Sequence, residues 1–189
     1  MPIYVSGPAS VGWWAMFITM VGDGTAFASL IFGYFFYWTI HDNFTTIANG
    51  PGVLWPMAAL VLYVIAWALT LLARQLNDKG RPDARLALTA AFAVSVAASL
   101  AGLAGPYLHG MDPTANVYPA IVWIVAIWTV THGVVGAIMQ AYCLARSVAG
   151  RMTAEYDQDI RNVALYWHFM AFTAVVTFAV IGLFPLVAS

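Results

Sequence analysis

Residues 12–38 read GWWAMFITMVGDGTAFASLIFGYFFYW, an apolar run in which Asp23 is the one side chain charged at neutral pH in water. Crossing about 30 Å of hydrocarbon takes about 20 apolar residues at about 1.5 Å each, so this run is long enough to span a membrane. The chain repeats the feature five times, near 11–38, 53–74, 85–108, 117–146 and 160–187. The intervening stretches HDNFTTIANGPG, RQLNDKGRPDAR, HGMDPTAN and RSVAGRMTAEYDQDIR hold the Gly, Pro, Asn and Asp residues that end helices. Strands of a membrane barrel would alternate polar and apolar residues over about ten positions, and these runs do not. The expectation is an all-α polytopic membrane protein, five transmembrane helices in one bundle, forming a single domain over 1–189.

Composition agrees. Of 189 residues 62% are hydrophobic and 8% charged, against about 25% charged in soluble domains, which excludes a soluble globule. A net charge of −1 offers no basic surface for nucleic acid. Cys143 is the one cysteine, so an internal disulfide and a CxxC site are both excluded. The N-terminal MPIYVSGPAS lacks Lys and Arg, and the apolar run behind it is longer than a signal peptide's, so the first span reads as retained.

Arg74, Lys79, Arg81, Arg85, Arg146, Arg151 and Arg161 are all the basic residues, and they fall in or beside the second and fourth connections. The positive-inside rule makes that side cytoplasmic, with the N-terminus inside and the C-terminus outside. Aromatic residues gather near the boundaries: Trp13, Trp14, Tyr166 and Trp167 inside, Tyr37, Trp38, Trp55, Tyr107 and Tyr118 outside. The third run carries two small-residue ridges, Ala87, Ala91, Ser95 and Ser99, and Ala93, Ala97, Ala101 and Gly105. Such ridges allow close helix approach on two sides, which predicts a central position.

An ionisable group in hydrocarbon costs several kcal/mol unless paired, so Asp23, His132 and His168 are the candidate buried protonatable residues. Asp23 lies about twelve residues into its span and His132 about fifteen into the fourth, which sets both near mid-bilayer, where they can meet. A carboxylate facing an imidazole can share a proton, the smallest element of a relay. Each also has a packing reading: Asp23 between Gly22 and Gly24 as a polar anchor, His132 beside Gly133 and Gly136 as a cross-bundle hydrogen bond, and His168 as a packing residue. His168 is about two turns nearer the inside than His132, which argues against a haem held between them. His41 beside Asp42, His109 beside Asp112, and the cluster Glu155, Asp157 and Asp159 read as solvated loops. Arg74, Arg146 and Arg161 stand where apolar helices meet the headgroup layer and are candidate lipid-phosphate contacts. No nucleophile motif, P-loop or GxGxxG is present.

These residues resemble a family. The Gly12–Trp38 run, with a carboxylate about ten residues past its tryptophans, looks like a helix of subunit III of the haem–copper terminal oxidases, where the acid is usually Glu. HGVVGAIMQAYCLAR, with His132, Gly136, Cys143 and Arg146, is similar to that family's H-V-x-x-G pattern ending C-L-x-R, and YWHF at Tyr166–Phe169 resembles the opening of its final helix. Besides Asp23, one methylene shorter than the usual Glu, two positions depart: Ala171 and Ala174 stand where the family commonly has Asp and Trp, so carboxylate chemistry there is not carried over. The resemblance implies the five-helix form of a non-catalytic subunit of a proton-pumping cytochrome c oxidase in a bacterial inner membrane. It would stabilise the core, hold phospholipid and support proton uptake. Haem and copper would belong to the partner subunits I and II, with no catalytic, cofactor or metal residue on this chain. A quinol oxidase subunit III and an accessory protein of nitric oxide reductase share the pattern. A small proton-coupled transporter, with Asp23 as its coupling site, is the alternative from another class.

Overall fold

A computed structural model describes residues 10–41, 44 and 50–188. Asp42 and residues 1–9 lie outside the described residues. Helices α1 (Val11–Ile40), α2 (Leu54–Asp78), α3 (Ala84–Leu108), α4 (Val117–Val148) and α5 (Gln158–Gly182) are joined by a short terminal α6 (Phe184–Ala188). All five expected spans are present and are long and apolar enough to cross a membrane, α5 and α6 together supplying the fifth. No strand occurs among the described residues.

The helix ends follow local chemistry. Ser10 Oγ accepts from Trp13 N at 3.1 Å to start α1, and Asn116 Oδ1 accepts from Tyr118 N at 3.0 Å to start α4. α2 runs past the expected boundary at 74 to Asp78 and closes on Gly80 at φ 65°, with Arg81 N bonded to Leu76 O at 2.9 Å. α4 closes the same way on Gly150 at φ 68°, with Arg151 N bonded to Arg146 O at 2.9 Å. A left-handed residue at this place returns the chain sharply, and glycine adopts it without strain.

α2, α3, α4 and α5 form a ring in which each packs on its two neighbours, and α1 lies outside against α4 and α5. The expectation of a central α3 is therefore corrected: α3 is one corner of the ring. Its ridge Ala87, Ala91, Ser95 and Ser99 is buried throughout, whereas Ala93 and Ala97 of the second ridge are exposed and only Ala101 and Gly105 are buried. Small residues permit close approach without naming the neighbour, so half of one ridge faces outward. The core centres on the fully buried Tyr63, Trp167 and Phe178, with Tyr63 stacked on Phe178 at 5.9 Å between ring centroids.

Buried polar side chains tie the ring together. Gln140, with no exposed surface, donates to Thr70 Oγ1 of α2 at 2.8 Å and accepts from Ser95 Oγ of α3 at 2.9 Å. Thr129 and Thr177 bond at 2.7 Å between α4 and α5. Each partner of Gln140 also reaches a carbonyl of its own helix: Thr70 donates to Ala66 at 2.7 Å, and Ser95 shares its one hydroxyl proton between Gln140 and the Phe92 carbonyl at 2.8 Å. Gln140→Leu is therefore expected to cost only about 1 kcal/mol, because both hydroxyls stay satisfied. The double change Thr70→Val with Ser95→Ala strands the carboxamide and should cost more, about 2 kcal/mol. Unfolding in mixed micelles titrated with dodecyl sulfate ranks the two, and the reverse order would contradict this account.

α1 is fixed at its two ends. Near its start, Gly12 lies against Asn162 of α5, a Cβ there coming within 3.4 Å of Nδ2. At the other end Phe184 of α6 packs edge-on against Phe35 at 5.0 Å and Trp38 at 5.1 Å. Between these clamps only the line Met20, Phe27 and Tyr34, spaced by two turns, is buried. The gap beside that line is a cleft.

Candidate functional site

The site lies where α1 crosses α4. His132 Nδ1 is 2.8 Å from the carbonyl of Trp128, one turn earlier on α4. A carbonyl only accepts, so Nδ1 carries a proton and Nε2 is left to face outward. Nε2 stands 3.5 Å from Oδ2 of Asp23 on α1. The structure thus brings together the two residues expected near mid-span. With Nδ1 already protonated, the contact is favourable when one further proton lies between carboxyl and imidazole. Imidazolium with carboxylate and imidazole with carboxylic acid both satisfy it, and both are neutral overall. A neutral pair is what a low-dielectric setting tolerates.

Aromatic rings enclose the imidazole. Trp128 stacks on it at 3.9 Å between centroids and 27° between planes, Phe27 stacks on Trp128 at 5.1 Å, and Phe169 meets His132 edge-on at 6.5 Å. Tyr166 Oη donates to the carbonyl of His132 at 2.9 Å, pinning α5 to this turn. Sequence reading did not single out these rings, although the four-residue spacing of Trp128 and His132 was the available signal. The enclosure is incomplete: the His132 side chain is 18% exposed and that of Asp23 35%. Both are thus half-buried rather than buried. Next to the pair, Gly24, Phe27 and Phe169 also line a cleft between α1 and α5, with Met20, Phe172 and Val176; its volume is about 560 Å³.

His168 is not part of this site. It is exposed on the outside of the bundle, a correction to its expected burial. Its Nδ1 accepts from Trp67 Nε1 of α2 at 3.0 Å, because a helix that turns Tyr166 and Trp167 inward leaves the next residue on its outer edge.

The three arginines expected at lipid phosphates are partly exposed and also have protein partners. Arg146 pairs with Asp159 at 3.1 Å and Arg74 with Asp78 at 3.9 Å. Arg161 reaches Asp78 at 3.6 Å and also pairs with Asp157. Asp157 and Asp159 are accordingly not part of a solvated loop: the return at Gly150 carries them back beneath α2 and α4, and Asp157 is buried. Glu155 remains exposed. At the opposite end His109 and His41 are exposed, His109 Nδ1 bonding the Gly105 carbonyl at 2.9 Å. There the Thr114 hydroxyl and backbone N–H both donate to Asp112, holding its carboxyl below the ordinary value.

Among the described residues no group of three or more His, Cys, Asp or Glu side chains stands close enough to hold a metal ion. Fold and site define a polytopic five-helix membrane protein with a carboxyl–imidazole pair at a helix crossing. No family model matches the chain, and no curated protein matches it.

Proposed function

We propose that the chain is the non-catalytic subunit III of a proton-pumping haem–copper terminal oxidase, the cytochrome c oxidase of a bacterial inner membrane. It stabilises the core, holds phospholipid and supports proton uptake. The observation that carries this reading is the 3.5 Å contact between Asp23 and His132, which belong to two of the three motifs that carry the sequence resemblance. In this reading the basic ends of α2 and α4 face the cytoplasm and the C-terminus the periplasm. The pair can share a proton close to an apolar cleft of about 560 Å³ that would take an acyl chain, and haem and copper reside on subunits I and II.

Purification of the tagged chain from its native membrane in mild detergent tests the reading. Haem bands that accompany the chain and a large multi-helix partner are expected. A colourless chain that purifies alone and drives solute uptake in vesicles would replace this reading with a proton-coupled transporter. Within the oxidase, Asp23→Asn keeps the shape and removes the acid, so turnover should decline sooner over repeated cycles while complex yield stays unchanged. Asp23→Ala should lower both. Unaltered yield and unaltered endurance in both variants would remove Asp23 from any role.

A further inference from the structure

The Trp67–His168 contact determines where the proton of an outward-facing ring sits. An indole N–H only donates, so His168 Nδ1, 3.0 Å from Trp67 Nε1, offers its lone pair and the ring proton resides on Nε2. Depth follows from both helices. His168 is seven residues beyond Arg161 on α5, and Trp67 is seven residues before Arg74 on α2, each about 10 Å at about 1.5 Å per residue. Arg161 and Arg74 share Asp78, so their level is common. The exposed Nε2–H therefore lies well inside the apolar zone of the bundle.

Acyl chains contain no acceptor for that N–H. Outward hydroxyls elsewhere satisfy themselves: Thr19, Thr25, Ser29 and Thr89 each donate to the carbonyl four residues earlier, at 2.9–3.0 Å. A histidine Nε2–H whose ring is already anchored through Nδ1 has no such recourse. A second copy of this chain does not supply the acceptor either. In a two-fold pair the face meets itself, and the accessible neighbours of Trp67 and His168 one turn away are Val64, Leu71, Leu165 and Phe172, all apolar.

We propose that the α2/α5 face around His168 docks a transmembrane helix of a different chain, one that presents an acceptor at this depth: a hydroxyl, a carboxamide oxygen or a carboxylate. The inference rests on the chemistry of one face and goes beyond the oxidase reading, since any heteromeric membrane complex would satisfy it.

A photo-crosslinking residue at position 71 on α2, one turn from Trp67 and outside the α1/α5 cleft, in the full chain expressed in its native membrane, tests it. The expected adduct joins Leu71's position to a transmembrane segment of another protein that carries Ser, Thr, Asn, Gln, Asp or Glu within a turn of the joined residue. His168→Phe should reduce the adduct about fivefold or more, which corresponds to about 1 kcal/mol. His168→Gln, which keeps an N–H donor, should restore much of it. Trp67→Phe removes the internal bond and keeps the outward donor, so it should retain the adduct; this separates docking from loss of fold. Adducts with lipid alone, adducts with a second copy, or a yield indifferent to His168→Phe would each overturn the proposal. A colourless complex giving the expected adduct supports it while defeating the oxidase reading. A haem-bearing complex without the adduct does the reverse.

Discussion

Arg161→Met is expected to cost the bundle about 3–5 kcal/mol, measured as a shift in reversible unfolding in mixed micelles. Arg161 stands between Asp157 on its own helix and Asp78 of α2, its Nη2 3.6 Å from the latter. The Asp157 side chain is only 3% exposed. Removing the guanidinium leaves that carboxylate buried without a cation, and the penalty is the desolvation of the stranded charge rather than the worth of the contact itself. A second change to Asp157→Asn should therefore recover most of the loss, since an amide carries no charge to strand. Arg161→Lys keeps the charge and loses the fork that reaches two carboxylates from one side chain, so an intermediate cost is expected. The control is Arg81→Met. Arg81 also contacts a carboxylate, Asp83, but their side chains are 59% and 52% exposed, and exposed pairs contribute well under about 1 kcal/mol. Equal costs for the two arginines would refute the distinction between clip and surface pair.

That clip was beyond sequence reading for a definable reason. Arg161 and Asp78 are separated by α3 and α4, and nothing local distinguishes a loop aspartate that folds back from one that stays in water. The five spans were legible because membrane crossing imposes length and composition on each segment separately. Their ends shifted where helix-forming residues continued past the apolar run, as Gln75–Asp78 does until Gly80 turns the chain. Asp23 and His132 were legible because the same depth count applies to both, and each is an ionisable residue in an apolar run. What that count lacks is azimuth. It sets His168 within the membrane yet cannot tell that its ring points out, nor that α3 is a corner and not a centre. Gln140 is less legible because it carries no charge, although a carboxamide in the middle of a span also costs several kcal/mol to bury unpaired.

Gly133→Ala is expected to cost about 3 kcal/mol, the upper end of what overpacking a close contact brings. A Cβ at this position would overlap Tyr63 Oη and lie 2.8 and 2.9 Å from ring atoms Cε1 and Cζ. The tyrosine has nowhere to go: it is fully buried, stacked on Phe178, and bonded through Oη to Ser99 of α3 at 3.1 Å. One methyl group must then either break the Tyr63–Ser99 bond or part α4 from α2, and the second course moves His132, the preceding residue on α4, relative to Asp23. Tyr63→Phe alone removes the hydroxyl and its bond and should cost about 1 kcal/mol. Combined with Gly133→Ala it relieves the tightest clash and leaves those near 2.8 and 2.9 Å, so the double variant should be less destabilised than the sum of the two singles. Strict additivity would mean that the ring itself, rather than its hydroxyl, sets the limit at this crossing. A Gly133→Ala chain as stable as the parent would show that α2 and α4 are free to separate, and that the approach of these helices does not govern the Asp23–His132 distance.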